Sequence, residues 1–286
     1  AEKAGHTGTL DPLATGVLPL CFGAATKFSG LQLDAPKTYE AIALLGVTTT
    51  TGDAEGEVLQ RCAVDEAALT PQRLAQVAQQ FTGAIRQVPP MHSALKKDGK
   101  ALYEYARAGV EVERPARDVF ISALNLALTH TEQAQAAIKI RVTCSKGTYI
   151  RTLGEDIGQA LGCGAHLVFL RRVETGGLGL EGCVTLAQLE ACDDAQRLAW
   201  VQPVQTLLAG HTVITLAEED AGRFLSGVRR RGSWPDAAAV AVYGEHPRVL
   251  LGVGHVVQGE LIADRLLSPL EIQQILQGAP RAITPV

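Results

Sequence analysis

No stretch of this 286-residue chain reaches eighteen consecutive apolar residues, so no transmembrane helix is expected. A signal-peptide pattern is also missing from its beginning. The six cysteines, Cys21, Cys62, Cys144, Cys163, Cys183 and Cys192, contain no Cys-x-x-Cys pair. That leaves a zinc site and a disulfide framework without support and favours reduced thiols in a cytoplasmic protein. None of the seven histidines stands at metal-ligand spacing. There is no P-loop and no Gly-x-Gly-x-x-Gly opening a helix, so no cofactor and no metal are expected. Positive charge is short as well. With 26 Lys and Arg against 30 Asp and Glu the net charge is −4, which argues mildly against a nucleic-acid partner, because phosphates are bound by Lys and Arg.

The distribution of charge tells a different story from its sum. Between Arg86 and Arg117 lie seven basic residues (Arg86, Lys96, Lys97, Lys100, Arg107, Arg114, Arg117) and four acidic ones (Asp98, Glu104, Glu111, Glu113). Arg171-Arg172 and Arg229-Arg230-Arg231 add two compact clusters. The length suggests about two domains, and 47% hydrophobic residues suffice for real cores.

Tyr39 to Val47 reads as a buried strand, followed by an extended segment and turn from Gly46 to Gly56. Thr70 as N-cap, Pro71 at the first helical position and Leu74, Val77, Ala78 and Phe81 on one face predict a helix closed by Gly83. Ile138, Ile140, Val142 and Cys144 alternate with Lys139, Arg141 and Thr143, the pattern of a half-buried strand. Arg151 falls where that strand gives way to a helix carrying Leu153, Ile157 and Leu161. Thr185 and Gln188 fit a capping box. Strands and helices mix without a regular βαβ rhythm, so the expected class is α+β, a mixed and largely antiparallel sheet flanked by helices. After about His211, short apolar strands such as Val249–Val253 and Glu260–Ala263 predict a small β-rich module.

The most site-like segment is Gly5-His6-Thr7-Gly8-Thr9-Leu10-Asp11-Pro12-Leu13-Ala14-Thr15-Gly16. Three glycines and a proline hold a single carboxylate in a tight backbone. This segment resembles the signature of the TruB family, tRNA pseudouridine synthases that isomerise a uridine in the T loop. Further matches follow in order: Lys37-Thr38-Tyr39-Glu40, then Ser93-Ala94-Leu95-Lys96 with Tyr103-Glu104-Tyr105-Ala106-Arg107, then Cys144-Ser145-Lys146-Gly147-Thr148-Tyr149-Ile150-Arg151, then Leu170-Arg171-Arg172. Together they span residue 5 to about residue 190.

The resemblance implies the pseudouridine synthase fold, with a catalytic domain over 1–205, an RNA-gripping insertion at about 88–116, and a PUA-like RNA-binding domain over 211–286. The family's opening strand with its Lys-Pro-x-Gly segment is missing, and Ala1 is not an initiator Met, so an N-terminally truncated form is expected. By resemblance Asp11 is the nucleophile and Arg151 its guanidinium partner, expected to grip the carboxylate at two points. Tyr39 packs on the target base and can relay the proton lost from C5. Tyr149 and Leu170 line the uridine pocket, and His6 lies at the RNA face. His92 stands where the family often has Tyr or Phe. Lys96, Lys97, Lys100, Arg171 and Arg172 are expected on the RNA backbone. The resulting expectation is a monomeric, cytoplasmic isomerase acting on uridine 55 in the T arm of tRNA, without membrane, metal or cofactor.

Three other readings compete with it. One is a tRNA-binding or tRNA-folding protein without catalysis, against which Asp11, Tyr39 and Arg151 all count. Another is a truncated, inactive form of the enzyme. The third is a glycosidic-bond hydrolase, which would need a second carboxylate that the Asp11 motif does not supply.

Overall fold

The computed structural model describes residues 3–278. By contacts the chain divides into two units: one comprises Thr9–Val17 and Asp34–Thr175, the other the described residues of 1–8, 18–33 and 176–286.

The first unit contains β1 (Ala14–Gly16), β2 (Lys37–Leu45), α1 (Pro71–Gln80), β3 (Gly83–Gln87), α2 (Leu102–Arg107), β4 (Arg117–His130), β5 (Ala136–Cys144), α3 (Ile150–Ala160) and β6 (Ala165–Thr175). Its sheet runs in the order β6-β2-β5-β4-β3, each neighbour antiparallel, and β1 joins β6 in parallel. The mixed, largely antiparallel sheet expected from the sequence is therefore present. In β5, Ile138, Ile140 and Val142 are fully buried while Lys139 and Arg141 are exposed, as a period-two strand with one covered face requires. That covered face meets Leu74 and Val77 of α1 and Leu153 and Ile157 of α3 in one core.

The Thr70 side chain accepts from Arg73 N and Pro71 opens α1, as the sequence predicts. Gly83 does not close that helix, however. The helix already ends at Gln80 with Phe81 as C-cap, and Gly83, at φ +98°, opens β3 instead. Between β3 and β4 the expected insertion carries a small hairpin, Lys96–Lys97 with Lys100–Ala101, and α2.

Strand alternation separates two residues that the sequence groups together. In β2, Tyr39, Ala41 and Ala43 belong to the core face. Arg172 pairs in register with Tyr39, and Arg171 with Glu40. Neighbours along a strand point to opposite faces, so Arg171 and Arg172 cannot act as one patch.

The second unit contains β7 (Thr212–Leu216), α4 (Glu218–Leu225), β8 (Arg230–Arg231), β9 (Ala237–Gly244), β10 (Val249–Val257), β11 (Glu260–Leu266) and α5 (Pro269–Gly278), with a sheet in the order β7-β9-β10-β11-β8. Phe224, Val240, Val242 and Leu261 form one fully buried cluster. A second cluster joins Cys21 and Phe28 to Leu207, Leu208, Leu250, Val253 and Leu267, so the C-terminal strands share a core with residues near the start of the chain. The capping box of Thr185 and Gln188 opens the short helix Leu186–Ala191 as expected. The Arg229-Arg230-Arg231 cluster is largely neutralised, Arg230 by Asp220 and Arg229 and Arg231 by Glu260.

Candidate active site

The Asp11 loop is held flat against β6. Ala14 N donates to Asp11 O at 2.8 Å, closing a turn, and Val17 N donates to Arg172 O at 2.8 Å. Gly16 sits at φ +105°, and a Cβ there would lie 2.0 Å from Arg172 O. Only glycine permits that approach.

Arg151, in the first turn of α3, meets this loop. Its side chain is 4% exposed, and its Nε donates to Asp11 Oδ2 at 2.8 Å. The two-point grip expected between them is not formed. Nη1 donates to Thr51 O at 3.0 Å and lies 3.4 Å from Asp53 Oδ2, while Nη2 donates to His92 O at 2.7 Å. One planar guanidinium thus ties the Asp11 loop, the turn after β2 and the foot of the insertion together. The Asp11 side chain keeps 34% exposure, which leaves the carboxylate open to a substrate.

Asp53 is the principal residue that the sequence reading missed. It is buried like Arg151 and is held by the Thr51 hydroxyl at 2.5 Å and by Glu55 N at 3.1 Å. The signal for it lay in Gly52-Asp53, a turn residue pair directly after a threonine run, which reads as an ordinary Asx turn. Gly52 takes φ +70°, and a Cβ there would meet the Glu155 carboxyl at 2.9 Å. Glu155, one helical turn after Arg151, is pushed up to about 7, chiefly by burial and then by Asp156 and Asp53, while Arg151 pulls it the other way.

The remaining expected residues have varied surroundings. Tyr39 is half-buried, and its phenol is pushed up by burial, a push that Arg172 opposes and Asp11 slightly reinforces. Leu170 is buried in the core and pairs with Ala14 of β1 and Ala41 of β2. Tyr149 is the N-cap of α3, and its backbone is clasped by the buried Gln87: Tyr149 N donates to Gln87 Oε1 at 3.0 Å, and Gln87 Nε2 donates to Tyr149 O at 3.3 Å. Gln87 also escaped the sequence reading. His6 is exposed on the strand Ala4–His6, and its Nδ1 accepts from Gly8 N at 3.3 Å. Lys96 and Lys100 are exposed, with Lys100 over the Tyr105 ring, and Lys97 donates to Glu113 O.

Arg172 requires a correction. It is 1% exposed and bonded to the carbonyls of Val17 and Thr9, so it offers nothing to a phosphate. Arg171 alone of that pair is exposed, on the face of Glu40.

The family model described as TruB family pseudouridylate synthase (N terminal domain) matches residues 1–150, and the one described as tRNA pseudouridylate synthase B C-terminal domain matches residues 151–209. A curated protein named tRNA pseudouridine synthase B from Verminephrobacter eiseniae is 69% identical over 281 residues, covering 98% of this chain and 85% of that protein. Its namesake from Ralstonia nicotianae is 56% identical over 272 residues, 93% of this chain and 86% of that protein. Among solved structures, a chain of a Cbf5-Nop10-Gar1 complex matches with a TM-score of 0.64 at 24% identity, covering 94% of this chain and 78% of its own length, a likeness of fold. On the tandem family matches and the high identity over nearly its whole length, the chain belongs to the TruB family of pseudouridylate synthases.

Proposed function

We propose that this chain, which isomerises uridine to pseudouridine in tRNA, acts on the T-loop uridine at position 55 with Asp11 as its nucleophile. The observation that carries the role of Asp11 is the 2.8 Å contact from Arg151 Nε to Asp11 Oδ2, made by a guanidinium that three other groups also hold. A guanidinium fixed in this way aims the carboxylate. The reaction breaks the C1′–N1 bond, forms C1′–C5 and moves one proton from C5 to N1. A carboxylate attacking at C1′ or at C6 holds one fragment while the base turns. Tyr39 stacks on the base, and Tyr149 and Leu170 shape its pocket. Since the change is redox-neutral and needs no energy input, neither cofactor nor metal enters the scheme.

The insertion at 88–116 grips the T arm, with Lys96, Lys97 and Lys100 on phosphates and His6 at the RNA face. The C-terminal sheet acts as a PUA-like contact for the rest of the tRNA, and the protein works as a cytoplasmic monomer. The test is to incubate unmodified tRNA with the parent and with Asp11→Asn, and to map pseudouridine at single-nucleotide resolution. Position 55 should be modified by the parent alone. Turnover by Asp11→Asn near the parental rate would remove Asp11 from the centre of the reaction, and modification elsewhere would refute the T-loop assignment.

A further inference from the structure

Arg172 is the largest of the fully buried side chains. Its Nε donates to Val17 O at 2.8 Å and its Nη1 to Thr9 O at 3.2 Å. Those carbonyls stand at the two ends of the loop that carries Asp11, so one guanidinium pins the loop at both. Its Nη2 is buried as well and has no hydrogen-bond partner. Among the described residues no carboxylate forms an ion pair with it. A buried cation with neither a counter-ion nor a full set of acceptors is costly. A negative charge arising during turnover would supply what this guanidinium lacks at rest.

The neighbour able to carry that charge is Tyr39. It stands opposite Arg172 in the β2–β6 ladder on the same face, where paired side chains come within about 5 Å, and the guanidinium draws the phenol toward ionisation. Tyr39 is half-buried and closer to solvent than Arg172, so the arginine acts through it rather than on the RNA.

We propose that Arg172 is the positioning residue that joins the two reactive side chains, fixing the loop of Asp11 and holding positive charge against the Tyr39 oxygen while that oxygen relays a proton from C5 to N1. The inference rests on the roles given above to Asp11 and Tyr39. In the relay, once C1′–C5 has formed and left an N1=C6 double bond beside a tetrahedral C5–H, the phenolic proton passes to the lone pair on N1. The resulting phenolate takes the proton from C5, the electrons of the C5–H bond close the C5–C6 double bond, and the N1=C6 π pair settles on N1. Tyr39 ends as it began, and the transient phenolate is the anion that Arg172 lacks at rest.

The test measures single-turnover rates on tRNA carrying protium or deuterium at C5 of the target uridine. Arg172→Gln should be slower by about 100-fold, the usual effect of removing one preorganised donor to developing negative charge, with a larger C5 isotope effect than the parent and unchanged tRNA affinity. Arg172→Lys, which restores the charge, should recover much of the rate and return the isotope effect toward the parental value. In a Tyr39→Phe background, Arg172→Gln should cost much less than it does in the parent, the remainder coming from the released Asp11 loop. Should Arg172→Gln fail to fold, Arg172→Met, which removes the buried charge while keeping the bulk, carries the same comparison. A slow variant with the parental isotope effect, or rate reductions that multiply fully with Tyr39→Phe, would reduce Arg172 to a structural brace for the loop and overturn the proposal. Parental turnover by Tyr39→Phe itself would instead overturn the reading of Tyr39 on which it rests.

Discussion

Replacing Arg151 by lysine is the sharpest test of how the site is assembled. The guanidinium reaches Asp11 Oδ2, Thr51 O and His92 O by hydrogen bonds of 2.7–3.0 Å and Asp53 Oδ2 at 3.4 Å, all from one rigid plane. An ammonium is a single point at the end of a flexible stem. It can satisfy one carboxylate but not both carboxylates and two carbonyls lying in different directions. Hydrogen bonds to charged groups are worth about 1.5–3 kcal/mol each, so removing two amounts to roughly 3–6 kcal/mol, shared between stability and the transition state. A share of about 3–4 kcal/mol in the transition state corresponds to a rate reduction of about 100- to 1000-fold. The assay is single-turnover release of tritium from tRNA labelled at C5 of uridine. Because the Arg151 side chain is 4% exposed, tRNA affinity should not change. A rate within about tenfold of the parent, some 1.4 kcal/mol, would show that the shared guanidinium is dispensable and refute this account. Arg151→Met should also lower unfolding free energy by about 3–5 kcal/mol, since it strands the buried Asp53 carboxylate without its cation; urea titration measures that.

Asp11→Asn should abolish turnover and retain tRNA binding, because an amide of nearly the same shape is a poor nucleophile; an equal drop in binding in a gel-shift assay would point to misfolding instead. Glu155 has a folded pKa raised to about 7 from 4.5, so its neutral form is the one the fold favours. Its contribution is fully present below about pH 4.5 and is lost as pH rises toward 7; with its partial solvent exposure discounted, the effect is on the order of 1–2 kcal/mol. Glu155→Gln should therefore gain stability relative to the parent at pH 8 but not at pH 4.5, and melting curves that shift equally at both values would contradict this. Binding of tRNA should weaken steeply with salt. Replacing Lys96, Lys97 and Lys100 should flatten the log–log slope by about 0.7–0.9 for each phosphate that is no longer neutralised. Deleting residues 211–286 would strip Leu250, Val253 and Leu267 from Cys21 and Phe28, so a lower melting temperature is expected together with any decrease in affinity; a deletion variant as stable as the parent would contradict the shared core.

Several features were legible in the residues themselves because their causes are local. The cap and first turn of α1 follow from Thr70 and Pro71, and the covered face of β5 follows from a two-residue period. The ordered motif blocks named the family and two of the groups that meet, Asp11 and Arg151. What those groups touch was not legible. The hydrogen bonds of Arg151 reach 140, 100 and 59 residues along the chain, and two of the three end on backbone carbonyls, which every residue possesses and no sequence pattern marks. Asp53 looked like a turn residue until the register of β2 and β6 brought its turn against α3. Arg171 and Arg172 looked like one basic pair until the pleat sent one to each face. Local propensity and periodicity decided which elements form and which side of each is covered. Only the tertiary structure decided which side chain meets a carbonyl, a carboxylate or solvent, because that depends on strand register and on loops held from distant parts of the chain.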